Sequence, residues 1–295
     1  ARTPWVSIEE AIAESDAAAW VDTDAKGDTT AFIQYTSGST SLPKGVMLSH
    51  GNLLANSELV RASVQQDDSF VGVSWLPPYH DMGLIGGILQ PIYQGRPLAL
   101  FSPMDFLAKP VRWLRALSKY QATFSGGPNF AYELCVRRVS DEDKETIDLS
   151  HWTAAYNGAE PVRPSTLERF AEAFAVCGYR PEAMRPCYGM AEATLFVCAS
   201  ADPANPPIVT AFDRTGLAEG VARPPVADEP SESLVACGGP ALLHDIQIVD
   251  PATSKVLPED TIGELWLAGP CVGQGYWGRR RQTAETFDAR TSDGD

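Results

Sequence analysis

The run Ala31-Phe-Ile-Gln-Tyr-Thr-Ser-Gly-Ser-Thr-Ser-Leu-Pro-Lys-Gly45 reads as a short apolar strand that passes directly into a hydroxyl- and glycine-rich loop ending on one lysine. The same pattern recurs downstream. Strand segments at 70–76, 122–124, 154–156 and 184–188 run into Gly- or polar-rich loops at 77–83, 125–129, 157–161 and 189–192. Helix patterns lie between them. Ser49 is placed to cap a helix with Leu53, Leu54, Leu59 and Val60 as its apolar positions. Pro164 and Ser165 open another, with Leu167, Phe170, Ala171 and Phe174 on one face. This alternation predicts an α/β fold of doubly wound, mostly parallel sheets with helices on both faces. Ligands of such sheets gather outside the carboxyl ends of the strands, where these loops lie.

Beyond residue 200 the texture changes. Residues 201–233 are rich in proline, alanine and acids and show little helical period, and short alternating strands follow at 243–249 and 262–267. We therefore expect an α/β region over 1–200, then a Pro-rich segment at 201–233 and a smaller β-rich subdomain within 201–295. A short amphipathic helix pattern (Ile8, Ala11, Ile12) precedes the first strand, and a turn-like Asp-Gly-Asp closes the sequence. Both ends lead us to expect a piece of a longer protein.

Lys plus Arg is 23 against 38 Asp plus Glu, a net charge of −15. No excess of cations is available to neutralise phosphates, which argues against nucleic-acid binding. An anionic ligand would need a local cluster of donors. The six cysteines include no CxxC pair, which fits reduced, mostly buried thiols better than disulfides or a zinc site. The longest apolar stretch, 83–93, is too short to span a bilayer, and no amino-terminal segment reads as a signal peptide. Neither membrane insertion nor secretion is expected, and the cytoplasm is the expected compartment.

The loop of the opening quotation suits a polyphosphate. Hydroxyls and backbone N–H groups donate to phosphate oxygens while a lysine offsets charge. It is not a Walker A loop. Lys44 follows Gly38 at the required spacing, but Pro43 and Gly45 stand where that pattern needs Gly and Ser or Thr.

Four further motifs follow in order: Leu76-Pro-Pro-Tyr-His-Asp-Met-Gly-Leu-Ile-Gly86, Tyr156-Asn-Gly-Ala-Glu-Pro161, Tyr188-Gly-Met-Ala-Glu-Ala-Thr194, and Gly263-Glu-Leu-Trp with Gly269-Pro-Cys-Val-Gly-Gln-Gly-Tyr-Trp277. With the hydroxyl-rich loop they resemble the signature of the adenylate-forming superfamily of acyl-CoA synthetases, luciferases and peptide-synthetase adenylation domains. The Gln34-to-Thr40 run, the His-Asp-Met-Gly run and the Glu-Ala-Thr-Leu ending are similar to the fatty acyl-AMP ligase branch. The Pro-rich segment 201–233 also sits where that branch resembles itself in carrying an insertion.

The resemblance implies a function and a distribution of roles. A long-chain fatty acid would be activated by ATP and Mg2+ to an acyl-adenylate with release of pyrophosphate, then passed to an acyl carrier protein in lipid, polyketide or lipopeptide synthesis. Thr36, Ser37, Gly38, Ser39, Thr40 and Lys44 would hold the phosphates. Glu192 would bind the metal. Gly158, Ala159, Glu160, Tyr188, Gly189 and Met190 would frame the adenine, and His80 would donate to the acid or the α-phosphate. Asp81, Met82, Gly83, Gly126 and Gly127 would border the acyl chain. In that family an aspartate in a Thr-Gly-Asp turn and a lysine in a mobile carboxyl-terminal domain complete the site. Neither motif occurs here, so residues 1–295 alone are expected to turn over little or not at all. Two alternatives stay open: an acyl-CoA synthetase on the same fold, and a non-catalytic nucleotide-binding module of a multidomain synthase.

Overall fold

The computed structural model describes residues 21–36, 43–64, 67–200, 202–239 and 243–292. The helix pattern around Ile8 lies outside them. Strands β1 (Thr30–Tyr35) and β2 (Gly45–Ser49) form an antiparallel pair, and α1 (His50–Ser63) begins on the residue after β2. Ser49 Oγ accepts the Asn52 N–H at 3.1 Å, and Asn52 Oδ1 accepts the Ser49 N–H at 2.9 Å. This reciprocal cap satisfies two donors that a helix start otherwise leaves unpaired. The hydroxyl-rich loop is thus the connection of a hairpin, not the strand-to-helix turn that the sequence suggested. Its base is tied by the Thr36 N–H donating to the Lys44 carbonyl at 2.9 Å.

The α/β region continues in chain order. β3 (Gly72–Ser74) leads to a π-helix (Met82–Leu89) that runs into α2 (Gln90–Gln94). β4 (Leu98–Leu100), α3 (Pro103–Ala108), α4 (Val111–Tyr120), β5 (Phe124–Gly127), α5 (Asn129–Arg138) and α6 (Asp141–Lys144) follow, then β6 (Ala154–Asn157), α7 (Pro164–Phe174), β7 (Met184–Gly189) and β8 (Phe196–Ala199). Six strands make one sheet in the order β4-β3-β5-β6-β7-β8, parallel throughout except β8, which returns antiparallel to β7.

Side-chain alternation sends neighbouring residues to opposite faces of the sheet. On one face Trp75, just past β3, stacks on Phe106 of α3 at 3.9 Å between ring centroids and meets Trp113 of α4 edge-on. Ser125 Oγ accepts the Trp113 indole N–H at 2.8 Å and donates to the Val73 carbonyl at 2.6 Å, whereas the buried Trp75 indole N–H has no partner among the described residues. Trp113, Trp152 and Phe170 are almost wholly buried here. Each such side chain contributes about 1.5–3 kcal/mol by burial. On the other face a Cβ on Gly87 of the π-helix would stand 2.6 Å from Ser74 Oγ. A Cβ on Gly83 would stand 2.1 Å from the Pro77 carbonyl oxygen, so glycine is what lets this helix lie so close to the chain.

The Pro-rich segment, in which the sequence showed little helical period, holds regular structure. β9 (Val209–Asp213) leads to the short α8 (Arg214–Ala218), and β10 (Ser231–Val235) pairs antiparallel with β9. The reason is local: residues 208–223 contain no proline. The buried Asp213 carboxylate accepts the Gly216 N–H at 2.9 Å and the Arg223 Nε–H at 2.7 Å. After it, β11 (Asp245–Asp250) pairs with both β12 (Lys255–Val256) and β13 (Glu264–Ala268), and α9 (Arg280–Phe287) ends the regular elements.

Candidate active site

The carboxyl ends of β3, β5, β6 and β7 deliver the motifs to one side of the sheet. β7 ends at Gly189, where a Cβ would fall 2.0 Å from the Leu195 carbonyl oxygen. Only glycine permits that return. A single helical turn, Ala191–Ala193, then carries Glu192, and Thr194 takes a positive φ of 71°. The strain is held by tertiary bonds: Thr194 Oγ1 donates to the Cys271 carbonyl at 2.6 Å, and the Glu192 carbonyl accepts the Gly273 N–H at 2.8 Å. The stretch 273–277 also runs along β2. Met47 N–H donates to the Gly275 carbonyl, Gln274 N–H to the Met47 carbonyl, and Trp277 N–H to the Gly45 carbonyl.

That pairing brings two distant groups to one side chain. Tyr276 OH donates to Glu192 Oε1 at 2.6 Å, and the Lys44 ammonium lies 4.7 Å from the centroid of the same ring. Burial, then the Glu192 carboxylate, push the Tyr276 hydroxyl up to about 12, so it stays a donor at neutral pH. Among the described residues Glu192 Oε2 accepts no hydrogen bond, and no group of three or more His, Cys, Asp or Glu side chains could hold a metal unaided. One free carboxylate oxygen suits a hard ion that takes its other ligands from phosphate and water, while the ammonium of Lys44, which has no lone pair for a metal, offsets phosphate charge. The residues present therefore fit Mg2+ carried in with a triphosphate. Ser37, Gly38, Ser39 and Thr40 lie outside the described residues; Thr36 and Lys44 mark the two ends of their loop.

Tyr188 borders two hollows. One, of about 450 Å³, is lined by Met190, Glu192, Trp266 and Val272; the other, an apolar cavity of about 200 Å³, reaches down to the sheet. Into the second project His80, Asp81, Met82 and Gly86 from the π-helix motif, and Ala159 from the turn after β6. Its floor is Phe124, Tyr156 and Cys187. Burial pushes the Cys187 thiol up to about 12, which leaves it a packing group. His80 Nδ1 and Asp81 Oδ1 are 2.7 Å apart, and that hydrogen bond raises the histidine pKa against the opposing effect of burial. Gln34 of β1 donates at 3.5 Å to the Tyr79 carbonyl, which ties the hairpin to this motif.

Other expected contacts fall elsewhere. Gly126 and Gly127 are strand residues, not loop. A Cβ on the first would meet the Tyr156 carbonyl oxygen at 2.0 Å and on the second the Trp75 ring at 2.7 Å, and neither glycine borders the cavity. Gly83 packs on Pro77 and does not border the cavity, whereas Gly86, to which the sequence reading gave no role, does. Glu160 Oε1 accepts the Phe130 N–H at 2.6 Å, so one oxygen of its side chain caps the start of α5. Gly158 passes close to Cys187, where a Cβ would lie 2.7 Å from Sγ, and Ala159 adopts a φ of 65°. Sequence reasoning gave Tyr276 no role and overlooked Arg185, which also lines the cavity. Tyr276 lay inside a quoted motif; nothing local in the sequence singled out Arg185.

The family of AMP-binding enzymes matches residues 2–277 of this sequence. The chain belongs to that family. It is 41% identical over 285 residues to the medium-chain-fatty-acid–[acyl-carrier-protein] ligase TtuA of Teredinibacter turnerae, covering 95% of this chain and 44% of the relative. It is 42% identical over 290 residues to 4-hydroxyphenylalkanoate adenylyltransferase of Mycobacterium tuberculosis, covering 97% and 46%. Among solved structures, fatty acid AMP ligase from Legionella pneumophila superposes with a TM-score of 0.90 at 42% identity, over 95% of this chain and 48% of that one. A fatty acyl-adenylate ligase from L. pneumophila in complex with acyl adenylate and pyrophosphate gives 0.85 at 43% identity, over 90% and 46%. The chain spans about half the length of these relatives. No helix among the described residues is long and apolar enough to cross a membrane, and all six cysteines are free.

Proposed function

We propose that the protein carrying this chain is a fatty acid–AMP ligase that loads an acyl carrier protein. The observation that carries this is the meeting of Lys44 and Glu192 on Tyr276, next to an apolar cavity headed by His80. The reaction brings a carboxylate to the α-phosphorus of ATP, forms the acyl–phosphate bond and expels pyrophosphate. Two anions must approach, so positioning and charge neutralisation supply most of the acceleration. Lys44 and the loop of Thr36, Ser37, Gly38, Ser39 and Thr40 hold the β- and γ-phosphates. Glu192 holds Mg2+, which when bound neutralises charge on the phosphate oxygens. Tyr276 keeps one oxygen of that carboxylate in place. Gly158, Ala159, Glu160, Tyr188, Gly189 and Met190 frame the adenine. His80, made more cationic by Asp81, donates to the acid or the α-phosphate from the mouth of the cavity that Asp81, Met82 and Gly86 help to line.

Names of relatives support the substrate class: medium-chain ligases of acyl carrier protein in Teredinibacter turnerae and Moorena producens, and a long-chain fatty acid–AMP ligase of Mycobacterium marinum. On this reading the segment 201–233 is an insertion that keeps coenzyme A from the acyl-adenylate, residues 1–200 handle ATP and acid, and the protein works in the cytoplasm. The test is to give the full-length protein a fatty acid, ATP and Mg2+ with either coenzyme A or a phosphopantetheinylated carrier. Acylated carrier with little acyl-CoA is the expected result; abundant acyl-CoA would make it an acyl-CoA synthetase, and no acyl-adenylate would leave a nucleotide-binding module.

A further inference from the structure

The apolar cavity has a cation in its wall. Arg185 is 4% exposed, and its guanidinium donates through Nη1 to the Met184 carbonyl at 3.0 Å and to the Glu182 carbonyl. Among the described residues no carboxylate forms an ion pair with it. The exposed Asp202 carboxylate is felt electrostatically, but its own hydrogen bonds go to the Ala204 N–H and to Asn205. An arginine does not shed its proton to escape burial. A buried guanidinium hydrogen-bonded to two carbonyls, with only the exposed Asp202 carboxylate in electrostatic reach, has less counter-charge than such a group ordinarily has.

Its position gives that deficit a meaning. Arg185 pairs across the sheet with Tyr156, and both line the cavity along with Phe124, Val60 and Phe196. Gly189, at the adenylate end of the same cavity, is four residues further along β7. Four strand residues span about 13 Å. The lining thus holds His80 and Gly189, apolar walls, and Arg185, which is set back from Gly189 along β7 by that distance.

Resting on the acid-activation reading above, we propose that Arg185 receives a second carboxylate at the far end of the acyl chain. The preferred substrate is then a medium-length ω-carboxy fatty acid, and Arg185 is a specificity residue. A carboxylate matches the planar donor fork of arginine in two parallel hydrogen bonds, and the site returns in part what both ions lose on leaving water.

The full-length protein is to be assayed for acid-dependent pyrophosphate release with decanoic acid and with decanedioic acid, as wild type, Arg185→Met and Arg185→Lys. Wild type is expected to favour the diacid in kcat/KM by about tenfold or more, and Arg185→Met to lose about a hundredfold on the diacid alone. Arg185→Lys should recover part of that loss. A wild type that uses decanoic acid as well as or better than the diacid overturns the proposal, and needs no variant to fold. So does an unchanged ratio in Arg185→Met. If decanoic acid is adenylated and the ratio does not move, only this inference falls. If neither acid nor any other fatty acid yields an acyl-adenylate, the activity falls with it.

Discussion

Tyr276 joins residues that are far apart in sequence, its ring beneath the Lys44 ammonium and its hydroxyl on Glu192. Replacing Tyr276 by phenylalanine keeps the ring and removes the bond that fixes the carboxylate. In the full-length enzyme Tyr276→Phe should lower kcat/KM for ATP by about tenfold, the size of one hydrogen bond to a charged group, and raise the Mg2+ concentration needed for half-maximal rate. Lys44→Ala removes a charge-assisted contact and should cost on the order of 1.5–3 kcal/mol in the same quantity. Glu192→Ala should cost more; unchanged Mg2+ dependence there would remove Glu192 from the metal. His80 offers a test by titration. Its bond to Asp81 raises its pKa in the folded protein, so the cation persists above the usual histidine value of about 6.5. The stabilisation is complete below that value and fades as pH rises through the raised one. NMR titration should place the His80 midpoint above 6.5, and Asp81→Asn should bring it back down. A wild-type midpoint at or below the usual value would remove Asp81 as the cause.

At the scale of elements, α1 is the clamp. Asn52 Nδ2 donates to the carbonyls of Pro270 and Val272, and Asn56 bonds the Phe196 backbone through both ends of its amide. One helix thus ties the stretch after Glu192 to the stretch before Tyr276. Asn56→Ala would leave the Phe196 N–H and carbonyl without these bonds, at about 1–3 kcal/mol per buried group. Thermal unfolding should show a lowered Tm, and Mg2+-dependent activity should fall with it because Glu192 loses its support. A Tm equal to wild type would show that α1 does not hold this segment. The elements that sequence revealed are those with local signals. Ser49 announces α1, Pro164 announces α7, and the run from Met184 to Tyr188 reads as a strand because of its composition. β2, β4 and β8 were missed. Gly45–Ser49 follows a loop and precedes a helix, and nothing within five residues says that it pairs with β1; β8 owes its antiparallel direction to the turn at Thr194, whose positive φ is set by contacts with Cys271.

For the whole molecule, the mostly parallel sheet was legible because strand–loop–helix alternation fixes strand direction and where loops gather. The positions of Lys44, His80 and Glu192 were legible through their motifs. Their mutual geometry was not, since the Tyr276 bridge and the burial of Arg185 are products of tertiary packing. Gly126 and Gly127, which read as room for a ligand, lie in β5, where an added Cβ would meet Tyr156 and Trp75. The hairpin of β9 and β10 is another whole-molecule feature. It is fastened to the β-rich part through the Ala222 N–H on the Asp260 carbonyl and the Ile262 N–H on the Gly220 carbonyl. Replacing residues 209–235 by a short Gly-Ser linker should leave acyl-adenylate formation intact and allow acyl-CoA to form; unaltered refusal of coenzyme A would show that the hairpin is not the barrier. Acid-dependent adenylation at the Lys44–Tyr276–Glu192 cluster is tested most directly by exchange of labelled pyrophosphate into ATP by the full-length protein, as wild type and as Glu192→Gln. Exchange that requires both fatty acid and Mg2+ and collapses in the variant is the predicted result. Exchange indifferent to the acid or to Glu192, or ADP and inorganic phosphate as the products, would contradict it.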